Sequence, residues 1–95
     1  DIYGMAHITG GGIPENLPRC LPKELKVDVD WNSWRVPEIF LEIQRQGNID
    51  EMEMRRVFNL GIGYCVIVPD NIKYYVMDLI REFGINCTEI GEIYV

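Results

Sequence analysis

The spacing of apolar and polar residues changes several times along the chain, and each change predicts an element. Residues 24–31 alternate: Leu25, Val27, Val29 and Trp31 point one way, and Lys26, Asp28 and Asp30 the other. That is a strand with one wet face. Asn32 and Ser33 then turn the chain. From Val36 the period becomes helical. Val36, Ile39, Phe40 and Ile43 share a face, Pro37 suits a first helical position, and Gly47 is a stop. Asp50 and Glu53 have capping-box spacing for a short helix over 51–57. Residues 58–68 are apolar at nearly every position and predict a central strand buried on both faces. Gly61 and Gly63 fall on one side of it, where close packing is expected. Pro69-Asp70 is expected to cap the next helix. Its stripe of Ile72, Tyr75, Val76, Leu79, Ile80 and Phe83 keeps a 3.6-residue period until Gly84. Residues 86–94 predict a last strand. Strand, helix and strand in that order predict a right-handed crossover with the two strands parallel.

The amino-terminal third is less regular. Residues 1–9 are mixed and extended. Residues 13–21 predict a short helix that Pro18 breaks and Pro22 stops. The pattern as a whole predicts an α+β fold, a small mixed sheet covered by helices and partly ferredoxin-like. No internal repeat, low-complexity tract or linker interrupts it.

Between these first two segments stands His7-Ile8-Thr9-Gly10-Gly11-Gly12. Three glycines in a row admit backbone angles closed to other residues and a close approach by a ligand. Pro14 and Glu15 suit a first helical turn, so the stretch has the form of a phosphate-binding turn. It follows neither the Walker nor the dinucleotide spacing. A tight turn without a ligand explains the glycines equally well. His7 is the only histidine, and no cysteine stands at metal-ligand spacing from it, so no metal site is expected. Arg19 reads either as a bidentate phosphate clamp or as a surface partner of Glu15. Asn16 lies one turn into the helix. Asn59 either stabilises a strand start or lines a cleft at the strand end. Ser33, the only serine, sits in a turn and supports no catalytic triad. Arg55-Arg56 with Glu51 and Glu53 reads as a solvated helix face, and Trp34 and the tyrosines as core and rim.

Composition narrows the partners. At 95 residues the chain is one domain or a piece of one, and 47% hydrophobic residues supply a core. A net charge of −6 argues against nucleic acid and anionic membrane surfaces. No apolar run is long enough to span a bilayer. Three cysteines without C-x-x-C spacing predict reduced, buried thiols and a cytoplasmic location. No secretion signal opens the chain. It begins at Asp1 in mid-pattern and without Met, so the expectation is a fragment of a longer protein.

Several stretches together resemble the C-terminal part of the aminoimidazole ribonucleotide synthetases, also called phosphoribosylformylglycinamidine cyclo-ligases. They are Gly4-Met5-Ala6-His7-Ile8-Thr9-Gly10-Gly11-Gly12, Glu15-Asn16-Leu17-Pro18-Arg19, Ser33-Trp34, Pro37-Glu38-Ile39-Phe40, Gly47-Asn48-Ile49, Glu53-Met54, Phe58-Asn59-Leu60-Gly61-Ile62-Gly63 and Ile90-Gly91-Glu92-Ile93. The resemblance runs nearly end to end. It implies that residues 1–95 are a single partial domain, the second half of the family's C-terminal domain. It implies a homodimeric enzyme that uses ATP and Mg2+, held mainly by an N-terminal domain absent from this chain. That enzyme closes formylglycinamidine ribonucleotide into aminoimidazole ribonucleotide in purine synthesis. The formyl amide oxygen is activated by phosphorylation, the substrate amine attacks, and phosphate leaves. His7 is then the catalytic candidate, with Thr9, Gly10, Gly11, Gly12, Asn16, Arg19 and Asn59 as substrate-binding candidates on one wall of a two-domain cleft. Pro14 and Val57 depart from the family's usual residues. A stand-alone, non-catalytic binding module of the same fold is the alternative. Selenophosphate synthetase and the amidotransferase of the preceding purine step share the fold but differ in this turn. Removal of neighbouring strands is expected to leave an apolar edge or face that drives self-association.

Overall fold

The computed structural model describes residues 2–95. Strand β1 (Gly4–His7) enters the glycine turn, which opens helix α1 (Gly12–Asn16). A 3-10 turn at Pro18–Cys20 follows, because Pro18 has no N–H to continue the helix. Strand β2 (Lys26–Val29) and helices α2 (Glu38–Gly47) and α3 (Glu51–Val57) come next. Strand β3 (Tyr64–Ile67), a 3-10 turn at Asp70–Ile72, helix α4 (Lys73–Glu82) and strand β4 (Gly91–Tyr94) complete the order.

Local chemistry sets most of these boundaries. The Asp50 carboxylate accepts from the Glu53 N–H at 2.9 Å and starts α3. Helix α2 carries Glu38 in its first turn and Arg45 in its last, each suited to the helix dipole. Its stop is Asn48 in the left-handed region (φ 49°), one residue beyond the expected Gly47. Asp70 does not cap α4 and pairs with Lys73 at 2.9 Å.

The α+β class stands, with the strands in two antiparallel pairs. β1 pairs with β3, placing Gly4 opposite Ile67 and His7 opposite Tyr64. β2 pairs with β4, placing Lys26 opposite Tyr94 and Val29 opposite Gly91. The expected crossover is therefore corrected: α4 joins strands of different sheets, and no parallel pair occurs among the described residues.

The central strand over 58–68 is corrected too. Only Tyr64–Ile67 is extended, and one face of it is open, with Cys65 buried and Tyr64 53% exposed. Residues 59–62 form a tight turn closed by the Ile62 N–H on the Asn59 carbonyl at 3.1 Å. Its central residues, Leu60 (φ 56°) and Gly61 (φ 100°), both lie at positive φ, as in a type I′ turn. Leu60 tolerates this because its side chain is buried and its carbonyl accepts from Trp34 Nε1 at 3.1 Å. The apolar run at 58–63 thus reflects the burial of a turn.

The core gathers beside the glycine turn. Ala6 and Ile8 flank β1's end, Ile13 and Leu17 come from the α1 side, and Cys65 comes from β3. Val27, Val29, Trp31, Trp34, Ile62 and Ile90 close around them. No helix among the described residues is long and apolar enough to cross a membrane.

Candidate functional site

The glycine turn stays in place because α1 docks on α3. A Cβ on Gly12 would collide with the Arg55 carbonyl and come within 2.9 Å of the Phe58 carbonyl. Gly12 also lies at φ 64° and Gly11 at φ 98°. Glycine is therefore required at both by the fold itself. Gly10 differs: its φ is ordinary, and a Cβ there would meet nothing within 4 Å.

Asn16 ties the turn together. Its Nδ2 donates to the carbonyls of Gly12 (2.8 Å), Thr9 (3.2 Å) and Gly10 (3.3 Å). Its Oδ1 accepts from the Thr9 hydroxyl and from Arg19 Nη1, each at 3.3 Å. The Gly12 N–H donates to the Thr9 carbonyl at 3.0 Å. The Gly10 and Gly11 N–H groups have no acceptor among the described residues.

Arg19 does join the Asn16 cluster, and its Nη2 also donates to Glu15 at 2.6 Å. Both side chains of that pair are more than half exposed, so the guanidinium remains reachable from solvent. His7 ends β1 on the exposed side, with its ring stacked on Tyr64 at 6.1 Å between centroids and 26° between planes. Thr9, Gly10, Gly11, Gly12, Asn16 and Arg19 thus form one cluster, and His7 stands two residues before it. Asn59 is outside that hydrogen-bond network: its carboxamide accepts from the Gly61 N–H at 2.8 Å and braces the 59–62 turn.

Tyr64 is the residue near the site that sequence reasoning missed. Its place beside His7 depends on the antiparallel pairing of β1 with β3, for which the sequence carries no local signal. The pKa of the Cys65 thiol is pushed up to about 11 by burial, reinforced by the neighbouring Cys20.

A cleft of about 360 Å³ lies elsewhere, between the strand ends of β2 and β4, and is lined by Asp28, Asp30, Glu89, Gly91 and Glu92. Four carboxylates there repel a phosphorylated ligand, so the cleft does not compete with the turn. No group of three His, Cys, Asp or Glu side chains able to hold a metal ion occurs among the described residues.

The sequence of residues 1–94 matches the family described as AIR synthase related protein, C-terminal domain. The chain belongs to this family. Relatives named phosphoribosylformylglycinamidine cyclo-ligase cover nearly all of it. The one from Synechococcus sp. (strain CC9605) is 54% identical over 93 residues, 98% of this chain and 27% of that protein. The one from Pseudothermotoga lettingae is 51% identical over 92 residues, again 27% of its length. The one from Prochlorococcus marinus (strain MIT 9301) is 41% identical over 93 residues. The chain spans about a quarter of the length of these curated relatives.

Proposed function

We propose that this chain is a partial domain, the C-terminal half of a cyclo-ligase's C-terminal domain, and that it supplies one wall of the substrate cleft. In this reading the whole enzyme is cytoplasmic and homo-oligomeric. It converts formylglycinamidine ribonucleotide to aminoimidazole ribonucleotide in purine synthesis. ATP and Mg2+ are held mainly by an N-terminal domain outside these 95 residues, in keeping with a chain that spans 27% of the Pseudothermotoga lettingae relative. The bound nucleotide supplies the phosphoryl group that activates the formyl oxygen. The partners are the phosphorylated ribonucleotide and the rest of the polypeptide, with no nucleic acid and no membrane.

The carrying observation is the turn itself. Gly10 and Gly11 present two adjacent N–H groups without acceptors, Arg19 adds an exposed guanidinium, and the exposed imidazole of His7 lies just before them. Adjacent free amides and a guanidinium suit phosphate oxygens. The His7 imidazole, which makes no hydrogen bond to the described residues, is placed to exchange a proton with the substrate. Thr9, Gly12, Asn16 and Asn59 complete the wall through the backbone they hold.

Complementation tests this. Mixing the chain with the separately produced remainder of the Pseudothermotoga lettingae relative is expected to restore cyclisation, whereas a self-sufficient binding module would not need it. Gly10→Ala separates ligand from fold. Nothing among the described residues opposes its Cβ, so stability stays within about 0.5 kcal/mol of wild type. Restored kcat/KM is expected to fall at least about tenfold, because the new methyl obstructs the close approach of phosphate to the Gly10 N–H and lengthens that hydrogen bond. Normal turnover with both His7→Ala and Arg19→Ala would remove the site assignment.

A further inference from the structure

Asn16 is the one buried polar side chain, 6% exposed, in a cluster that is otherwise backbone and surface. Its inventory is two N–H donors and two acceptor lone pairs. Three carbonyls take the donors, and the Thr9 hydroxyl and the Arg19 guanidinium take the oxygen. These partners also fix which way the amide points, since a carbonyl only accepts and a guanidinium only donates. Nothing on the carboxamide is left for a ligand.

Peptide planarity carries the effect outward. All peptide bonds here are trans. In a trans peptide the N–H points opposite the preceding carbonyl. Drawing the Thr9 and Gly10 carbonyls toward Asn16 therefore turns the Gly10 and Gly11 N–H groups to the other side, where no group of the described residues accepts them. The carbonyl bonds and the free amides are two ends of the same two peptide planes.

We propose that Asn16 is a positioning residue: it touches no substrate and acts by holding these two peptides with their N–H groups turned to the cleft. The inference rests on the reading of the turn as a phosphate-facing wall. It reassigns Asn16 from ligand contact to support of the amides that make the contact. Glycine at 10 and 11 makes that support necessary, because a flexible turn otherwise samples many peptide orientations.

The test uses the 15N-labelled chain with inorganic phosphate as probe. In wild type, the Gly10 and Gly11 amide signals are expected to move on titration while the Asn16 side-chain NH2 signals stay. Asn16→Asp keeps the shape and the acceptor but sets an oxygen against three carbonyls. It is expected to leave the Ala6, Ile8 and Cys65 amides unchanged, to loosen the Gly10 and Gly11 amides, and to weaken phosphate binding about tenfold, one charge-assisted hydrogen bond's worth. Movement of the Asn16 NH2 signals to the same extent as the glycine amides would make Asn16 a ligand contact and overturn the inference without any variant. Unchanged turn amides and unchanged affinity in Asn16→Asp would overturn it as well. A wild-type turn that ignores phosphate gives a different pattern: Asn16→Asp then loosens the turn with no affinity to lose, and the cleft reading fails.

Discussion

The glycine turn and helix α4 make opposite use of their residues. Around the turn, Ile8, Ile13, Leu17 and Cys65 are buried, and both polar atoms of the Asn16 side chain are bonded. On α4 the apolar stripe is as regular as any in the sequence, yet Tyr75 is 69% and Phe83 78% exposed. The helix is held at its start by ions: Lys73 reaches Asp70 at 2.9 Å and Glu89 at 3.1 Å, and its ammonium pKa is raised by those hydrogen bonds, Asp70's first. One region is complete within the 95 residues, and the other presents an apolar face that these residues do not cover. Amphipathic period reports that a face is meant to be buried; it does not report by what.

The strongest test of the complete region is Gly12→Ala. The new methyl meets the Arg55 backbone, and φ 64° is strained for any side chain. Overpacking and strain together predict a loss of about 3 kcal/mol or more by chemical denaturation, a large share of the stability of a domain of this size. A fully stable Gly12→Ala would mean that α1 does not rest on α3.

Leu17→Ala is expected to cost about 3 kcal/mol, since Leu17 is buried in the core cluster. The Cys65 thiol gives a similar figure through pH. Its folded pKa of about 11 lies above the ordinary value of 9.0, so the folded state keeps a proton that the unfolded chain releases. That contribution is fully present below pH 9.0 and is lost as pH rises toward about 11. The difference between wild type and Cys65→Ala in denaturation midpoint should narrow over that window, by an amount equivalent to about 3 kcal/mol. A constant difference across it would place the thiol in contact with water.

How much of this was legible in the sequence follows the same division. The helix over 51–57, the break at Pro18 and the alternation ending in β2 were readable because one residue type fixes each locally. The glycine turn, Asn16 and Arg19 were readable as a cluster because helical spacing brings them together. Sheet pairing was not, since β1–β3 and β2–β4 join segments far apart in sequence with no register mark. Tyr64 was lost for that reason. The 58–68 run reads as one strand because burial makes the turn at 59–62 as apolar as the strand that follows it, and the positive φ at Leu60 has no sequence signal. Gly10, Gly11 and Gly12 looked alike in sequence, and only the packing separates the two that the fold requires from the one it leaves open.

On the open side the expected effects are smaller. Phe83→Ser should change stability by less than about 0.5 kcal/mol, as for a surface position. It should also reduce any self-association seen by light scattering, because it removes the most exposed ring of the α4 stripe. A loss as large as that of Leu17→Ala would show that α4 is covered after all, by a second copy, and the contrast between the two regions would then describe only the isolated chain.

Smallest of all is the Glu15–Arg19 pair. Its side chains are 53% and 64% exposed, so Glu15→Gln should cost no more than about 0.5 kcal/mol, and less in high salt. The value of this variant lies in what it separates. Arg19 bonds both Glu15 and Asn16, and only the second bond ties it to the turn. With Glu15 neutral the guanidinium keeps Asn16 and becomes freer to meet an anion, so phosphate binding by Glu15→Gln is expected to tighten slightly, by up to about twofold. A weakened affinity would mean that Glu15 holds Arg19 in its binding pose. The surface pair would then be a working part of the turn, and the boundary of the complete region would move outward to include it.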